Sequence, residues 1–434
     1  MYKKYISSLC FLMFFSMVSQ AQHQHDEKCG HDLVMYHYEK LYPGFTEAVQ
    51  RTFDAVKNDK EQTYSRDEIL KIDVVFHVVW KEEAENLADS VIFNQLDRIN
   101  KDFRLLNENK ENIRAVFKER QADAKIEFNL KEIRRVKTNT NFALSLSGLP
   151  DNVKRSNAGG SDALAPDKNL NIWICHIRPI PLIGGQILGY AYPPAGLDNW
   201  PSGSNAPSPG LDGVVVDFRT VGGNNPNKLV FQGQEFESKG RTMVHEIGHY
   251  LGLRHIWGDG GGIFGGSSCN ADDGMQDTPN QGEQTGFSCD TTRNTCMDTS
   301  DDFPDMLENY MDYSLESCQN IFTKDQVNHM RKVLTNQRKG LVEENVSTKD
   351  FHNTTRLAII PNPNGGQCLF QNNDPESALL VNIYNASGQV LLSLNIAGGK
   401  QENLNVSWPD GLYFLAIRDD KGRQDEIKKW VIYR

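Results

Sequence analysis

A chain of 434 residues, 38% hydrophobic and 24% charged, is long enough for two or three soluble domains, because one core seldom grows past about 250–300 residues. Its formal net charge of −11 argues against nucleic acid and anionic membrane as main partners, since neither would be drawn to this field. Past the N-terminal segment no stretch is apolar enough to form a transmembrane span, which takes about 20 residues.

At the N-terminus, Lys3 and Lys4 precede a short apolar run over residues 6–18, and Ser19-Gln20-Ala21 offers a small-x-small cleavage site. Residues 1–21 therefore read as a secretory signal peptide, which takes Cys10 with it. Residues 22–66 are polar and charged, with a helical stretch near residues 44–57, and read as a pro-segment. A main unit over residues 67–340 opens with a strand over residues 72–80, nearly continuous in β-branched and aromatic side chains. An amphipathic helix follows over residues 90–106, with Ile92, Leu96, Ile99, Phe103 and Leu106 at helical spacing. Further strands are expected over residues 125–130, 169–177 and 213–218. This strand, helix, strand order predicts an α/β (α+β) layer on a twisted mixed sheet. Residues 178–212, rich in Pro and Gly, are suited to line a cleft.

A helix is expected over residues 240–253 and another over residues 323–338, with Thr323 as its N-cap. Residues 341–356 lack periodicity and read as a linker. Residues 357–434 change character to short alternating strands punctuated by Gly388, Gly398, Gly399 and Gly411, the pattern of a small all-β sandwich.

Export makes disulfides available. Cys269, Cys289, Cys296 and Cys318 share a stretch rich in Gly, Asp, Asn and Thr and too poor in apolar residues to build its own core. Two disulfides are expected there, and three pairings are open. Cys175 and His77, each inside a strand, read as buried core residues.

The chemistry is concentrated in His245-Glu246-Ile247-Gly248-His249-Tyr250-Leu251-Gly252-Leu253-Arg254-His255. On a helix, positions i and i+4 lie one above the other, so His245 and His249 can meet one ion, while Glu246 points beside that face. A helix cannot bring His255 to the same ion, but Gly252 can end the helix with positive φ and swing it back. Three neutral imidazoles leave a zinc ion one open position for water, which a neighbouring carboxylate can deprotonate. Downstream, Asn309-Tyr310-Met311-Asp312-Tyr313 resembles the methionine turn of metzincin endopeptidases, which implies Met311 as an apolar floor beneath the histidines and Tyr313 as a hydrogen-bond donor for an oxyanion. The eleven residues likewise resemble the zinc helix of that group.

Over residues 70–340 the chain resembles the pappalysin family of metzincins, notably its ulilysin-like members. The resemblance is carried by Val75-Phe76-His77-Val78-Val79, Arg254-His255-Ile256-Trp257-Gly258-Asp259, Asp277-Thr278-Pro279, the methionine turn and Cys318. It implies disulfides Cys269–Cys296 and Cys289–Cys318. It also implies calcium in the same loop, at Asn270, Asp273 and Thr278 with Asp277 and Glu283 nearby, oxygen donors of the kind calcium prefers. Glu316 stands where the family carries an acidic residue in the pocket that follows the scissile bond, which implies cleavage before Arg or Lys. Cys29-Gly30 resembles the cysteine of pappalysin pro-segments, which implies that a Cys29 thiolate holds a zymogen latent by occupying the open zinc position.

The last unit resembles the C-terminal sorting domain of the type IX secretion system, on Pro361-Asn362-Pro363, Ile383-Tyr384-Asn385-Ala386-Ser387-Gly388, Gly411-Leu412-Tyr413 and a basic strand at the end. That resemblance implies partnership with the secretion machinery and release outside the cell or attachment to its surface. The expected activity is hydrolysis of protein and peptide substrates by zinc-activated water, in the presence of Zn2+ and Ca2+. A zinc-stabilised surface binding protein and a zinc amidase are the alternatives.

Overall fold

In a computed structural model of the chain, the residues described are 39–40, 43–44, 68–143, 149–178, 187–194, 205–231, 234–258, 269–270, 272–298, 302–343, 356–362, 364–385, 389–419 and 426–432. The expected signal peptide, nearly all of the pro-segment, Cys29 and most of the linker lie outside them.

In chain order the main unit contains β1 (Leu70–Trp80), α1 (Asp89–Phe103), β2 (Ile126–Lys137), β3 (Phe142–Ala143), β4 (Asn169–Cys175), β5 (Ile177–Arg178), β6 (Gly189–Ala191), β7 (Val214–Asp217), β8 (Leu229–Phe231), β9 (Gln234–Phe236), α2 (Arg241–Tyr250), α3 (Lys324–Thr335) and α4 (Gly340–Glu343). Five strands form one sheet in the order β2-β1-β4-β7-β6. The first four are parallel and β6 runs antiparallel along one edge, so the sheet is mixed. Strand β1 lies between two neighbours with both faces covered, which explains its unbroken apolar sequence. Its His77 is fully buried, hydrogen-bonded through Nδ1 to Ser161 Oγ (2.8 Å) and through Nε2 to Asn171 Oδ1 (2.9 Å), and stacked on Trp173.

Helix α1 buries Val91, Ile92, Ile99 and Phe103 against the sheet. It stops three residues before Leu106: Leu105 takes a positive φ of 49°, and Leu106 is left exposed. Strand β2 runs seven residues beyond the expected end at Leu130. Its added residues, such as Arg134, Arg135 and Lys137, are charged because they lie on an edge strand that pairs only with β1. Helix α3 starts after Thr323, whose side chain accepts the Gln326 N–H while the Gln326 side chain returns to the Thr323 backbone.

The C-terminal unit comprises β10 (Leu357–Ile360), β11 (Gln367–Asn372), β12 (Leu379–Tyr384), β13 (Val390–Ile396), β14 (Gln401–Asn405), β15 (Gly411–Asp419) and β16 (Glu426–Ile432). They form two antiparallel sheets, β10-β11-β14 and β13-β12-β15-β16, over a core of its own that includes Phe370, Val381, Ile383, Leu415, Ile417 and Trp430. Strands β11 and β14 carry too many Gln and Asn residues to be recognised by apolar alternation. Backbone pairing with each other defines them, and they bury Cys368, Phe370 and Asn372.

Candidate active site

Helix α2 delivers His245, Glu246 and His249, all buried. Its sequence departs from the helix at Gly252, which has a φ of +87°. A Cβ there would stand 2.7 Å from His329 Nε2 and 3.2 Å from both Pro194 and Val333, so glycine is required for conformation and for space. The reversed chain brings back His255. The three Nε2 atoms converge: His245 and His249 are 3.1 Å apart, His249 and His255 3.1 Å, and His245 and His255 3.2 Å. Among the described residues this is the one cluster of histidine, cysteine or carboxylate groups compact enough to hold a metal ion.

The donor set fits zinc. His245 Nδ1 donates to the Tyr310 carbonyl (2.7 Å) and His249 Nδ1 donates to the Leu253 carbonyl (2.8 Å). Those bonds hold both rings in the tautomer whose Nε2 lone pair faces inward. Ligands at ~2.0 Å around a tetrahedral ion lie about 3.3 Å apart, close to the spacing here. Three lone pairs at this distance repel one another unless a cation lies between them.

The methionine turn closes the site from below. Met311 is buried, and its Sδ lies so near Gly248 that a Cβ on that residue would collide with it. The turn is tied down by Asn309, which exchanges two hydrogen bonds with Gln326 of α3, and by buried Asp312, which accepts from Gln281 Nε2 and the Thr285 N–H. Burial pushes the Asp312 carboxyl up. The Tyr313 ring packs 5.6 Å from His245 and 4.8 Å from His255. Trp257, which sequence reasoning passed over as a functional residue, stacks on His255 at 4.2 Å. Gly189 was also passed over. It lies on β6 directly against the Glu246 side chain. Gly189 has no spacing signal in the sequence, because it lies on a strand 57 positions from Glu246, and Trp257, two residues after His255, is brought onto that ring only by the turn between them.

The cysteine loop is joined Cys269 to Cys296 and Cys289 to Cys318. Within it, Asp273 Oδ1 accepts from the Met275 N–H (3.0 Å) and from Thr278 Oγ1 (2.8 Å). The other loop carboxylates diverge: Asp277 Oδ2 accepts the Asp325 N–H at the start of α3, and Glu283 pairs with Arg293. Asn270, by contrast, is exposed. Glu316 sits at the N-terminus of α2. Its Oε1 accepts from the Thr242 N–H (2.7 Å) and Thr242 Oγ1 (2.8 Å), and its Oε2 accepts from the Lys239 N–H.

The family model described as pregnancy-associated plasma protein-A matches residues 222–335, the range that holds the three histidines, Met311 and Tyr313. The structure of Tannerella forsythia promirolysin is 31% identical in sequence, covers 73% of this chain and 97% of that one, and superposes with a TM-score of 0.58. The chain belongs to the pappalysin family of metzincin metalloproteases. Mature mirolysin of the same organism, in complex with a cleaved peptide, is 35% identical over 64% of this pappalysin and 96% of its own chain, with a TM-score of 0.53. An extracellular metalloprotease of Arthroderma benhamiae is 28% identical over 263 residues, 60% of this chain and 76% of that protein. This pappalysin is thus a metalloendopeptidase of the zinc-dependent metzincin type, acting on protein substrates. Residues 358–433 match the secretion system C-terminal sorting domain, and the enzyme is exported, extracellular or on the cell surface. No helix among the described residues is long and apolar enough to cross a membrane.

Proposed function

We propose that this pappalysin hydrolyses peptide bonds at a zinc site held by His245, His249 and His255, with Glu246 as general base, and that it cleaves before Arg or Lys. The convergence of three Nε2 atoms within 3.2 Å of one another, with buried Glu246 next in sequence to His245, carries the reading. Bound there, zinc supplies a Lewis acid for the scissile carbonyl and acidifies water to a pKa near ~7. Glu246 takes the proton from the attacking water and hands it to the leaving amine. Tyr313, packed beside His245 and His255, donates to the oxyanion as the carbonyl becomes tetrahedral. Met311 carries no chemistry and keeps the floor of the site dry and rigid.

The preference for Arg or Lys rests on Glu316, whose carboxylate lies beyond the start of α2 and attracts a cationic side chain. Calcium is assigned to the loop at Asn270, Asp273 and Thr278, with Asp277 and Glu283 nearby. It is supported by Asp273 Oδ2, a buried oxygen with no hydrogen-bond donor among the described residues. Burial drives the Asp273 carboxyl well above the usual range, so a cation bound there would return it to the charged form. A latent precursor held by Cys29 rests on the Cys29-Gly30 pair, outside the described residues. The organisation proposed is a signal peptide over residues 1–21, a pro-segment over 22–66, the catalytic domain over 67–340, a linker over 341–356 and a type IX sorting domain over 357–434.

A proteome-derived peptide digest with the purified enzyme and a Glu246→Ala control tests catalysis and preference together. Zinc-dependent cuts before Arg and Lys, absent from the control, are expected. Cuts that persist in Glu246→Ala sink the assignment of the base. Unchanged preference in Glu316→Ala sinks the pocket, and unchanged latency in a Cys29→Ala precursor sinks the switch.

A further inference from the structure

Gly189 faces the Glu246 side chain. A Cβ built on it would stand 2.7 Å from Glu246 Cγ, 2.8 Å from Oε1 and 3.0 Å from Cδ, and those three atoms are its nearest neighbours. The φ of Gly189 lies outside the left-handed region, so glycine is not needed there for backbone conformation. What the missing side chain leaves is room, and the Glu246 side chain occupies it.

The strand that carries Gly189 is held from both sides and cannot recoil. On the sheet side, Gly189 pairs with Val216, and the Asp217 N–H donates to the Leu188 carbonyl (2.7 Å). On the other side, the hydroxyls of Tyr190 and Tyr192 both donate to Asp151. Asp151 also pairs with Lys154 (3.1 Å), an ammonium with no exposed side-chain surface, which lies 4.8 Å and 4.5 Å from the centres of the Tyr190 and Tyr192 rings. Lys154 Nζ donates further to the Leu211 carbonyl (2.7 Å). A buried ion pair with its donors satisfied is expensive to disturb, since breaking it strands a charge in the core. Any added bulk at position 189 is therefore relieved at the flexible end, the Glu246 carboxylate.

We infer that Gly189 is a positioning residue for the general base: its bare Cα sets how far the Glu246 carboxylate stands off β6, and hence its reach to the attacking water. This rests on the assignment of Glu246 above. A misplacement of the order of 1 Å at a reacting group can cost roughly 100-fold in rate.

The test uses the full chain with Gly189→Ala, Glu246→Asp and the double variant, beside wild type and Glu246→Ala. Zinc content, melting temperature, kcat and KM on a cleaved peptide are measured for each. Gly189→Ala is expected to keep its zinc and its melting temperature, because the histidines are untouched. Its kcat should fall roughly 10–100-fold with KM within about twofold. Adding Gly189→Ala to Glu246→Asp, whose shorter side chain no longer fills the space, should cost far less than it costs wild type. Wild-type kcat in Gly189→Ala overturns the inference. So does a raised KM with kcat kept, which would make Gly189 a substrate contact, a loss of zinc or melting temperature, which would mean that the strand moved instead, or full additivity with Glu246→Asp. If Glu246→Ala is as active as wild type, the assignment of the base itself has failed and the inference falls with it.

Discussion

The indole of Trp257 lies flat on the imidazole of His255, with ring centres 4.2 Å apart and planes within 6°, and meets the Tyr313 ring edge-on at 4.8 Å. His255 is the ligand that follows the glycine turn, so it has no helix to hold its ring. The stacked indole is one of the groups that hold it. Trp257→Ala is expected to weaken zinc binding by about 10–100-fold, the usual cost of losing an outer-shell partner, as read by competition with a chelator. Trp257→Phe should retain most of the affinity. Wild-type affinity in the alanine variant would show that the fold alone orients His255.

Glu316 is bound to α2 as a cap. Its two oxygens take the Thr242 N–H, one of those left without an intrahelical partner at a helix start, and the Lys239 N–H just before it, and its charge sits at the positive end of the helix. Glu316→Ala should therefore lower unfolding stability by about 1–2 kcal/mol in urea titration, separately from any change in cleavage preference. A variant as stable as wild type would make the carboxylate a pocket residue alone.

Burial lowers the His77 pKa to about 4 from its ordinary value of 6.5, leaving the ring neutral in the folded chain. The unfolded chain binds a proton more readily, so stability rises with pH across the window from 4 to 6.5 and falls away as pH drops through it. The contribution is on the order of 3 kcal/mol when fully lost. In His77→Gln, unfolding stability should vary less between pH 7 and pH 4.5 than in wild type. An equal slope in both would assign the acid sensitivity to other groups.

The two disulfides close loops with sequence separations of 27 and 29 residues. By chain entropy each stabilises by about 3.5 kcal/mol. Mild reduction should release the loop between Cys269 and Cys318 first, seen as new proteolytic cuts there while amides of β1 stay protected from exchange. Simultaneous loss of protection in β1 would show that the loop and the sheet unfold as one.

Much of this protein was legible in its residues because the relevant physics is local. The eleven residues from His245 to His255 declare helix, turn and ligands at once, since i and i+4 share a helical face and Gly252 can take the positive φ it shows. The apolar run of β1 likewise announced a strand. Local pattern failed where pairing replaces burial: the charged end of β2 and the Gln- and Asn-rich β11 and β14 are strands because a neighbour's backbone is beside them. The end of α1 was missed because the positive φ at Leu105 is a tertiary accommodation in a residue that seldom adopts it.

What the sequence determined by itself was the chemistry: three imidazoles and a carboxylate at one spacing, a methionine turn downstream, and an export unit at the end. What only the tertiary structure decided was the surroundings of those groups. Gly189 against Glu246, Trp257 on His255 and Glu316 on the start of α2 are joined across 57, 2 and 74 positions of chain, counting Glu316 to Thr242. The first and last of these distances carry no periodic signal. The short one depends on the turn of the chain that leaves the helix at Gly252. Ligand identity follows from covalent order, whereas reach, tilt and charge follow from what the fold presses against each ligand.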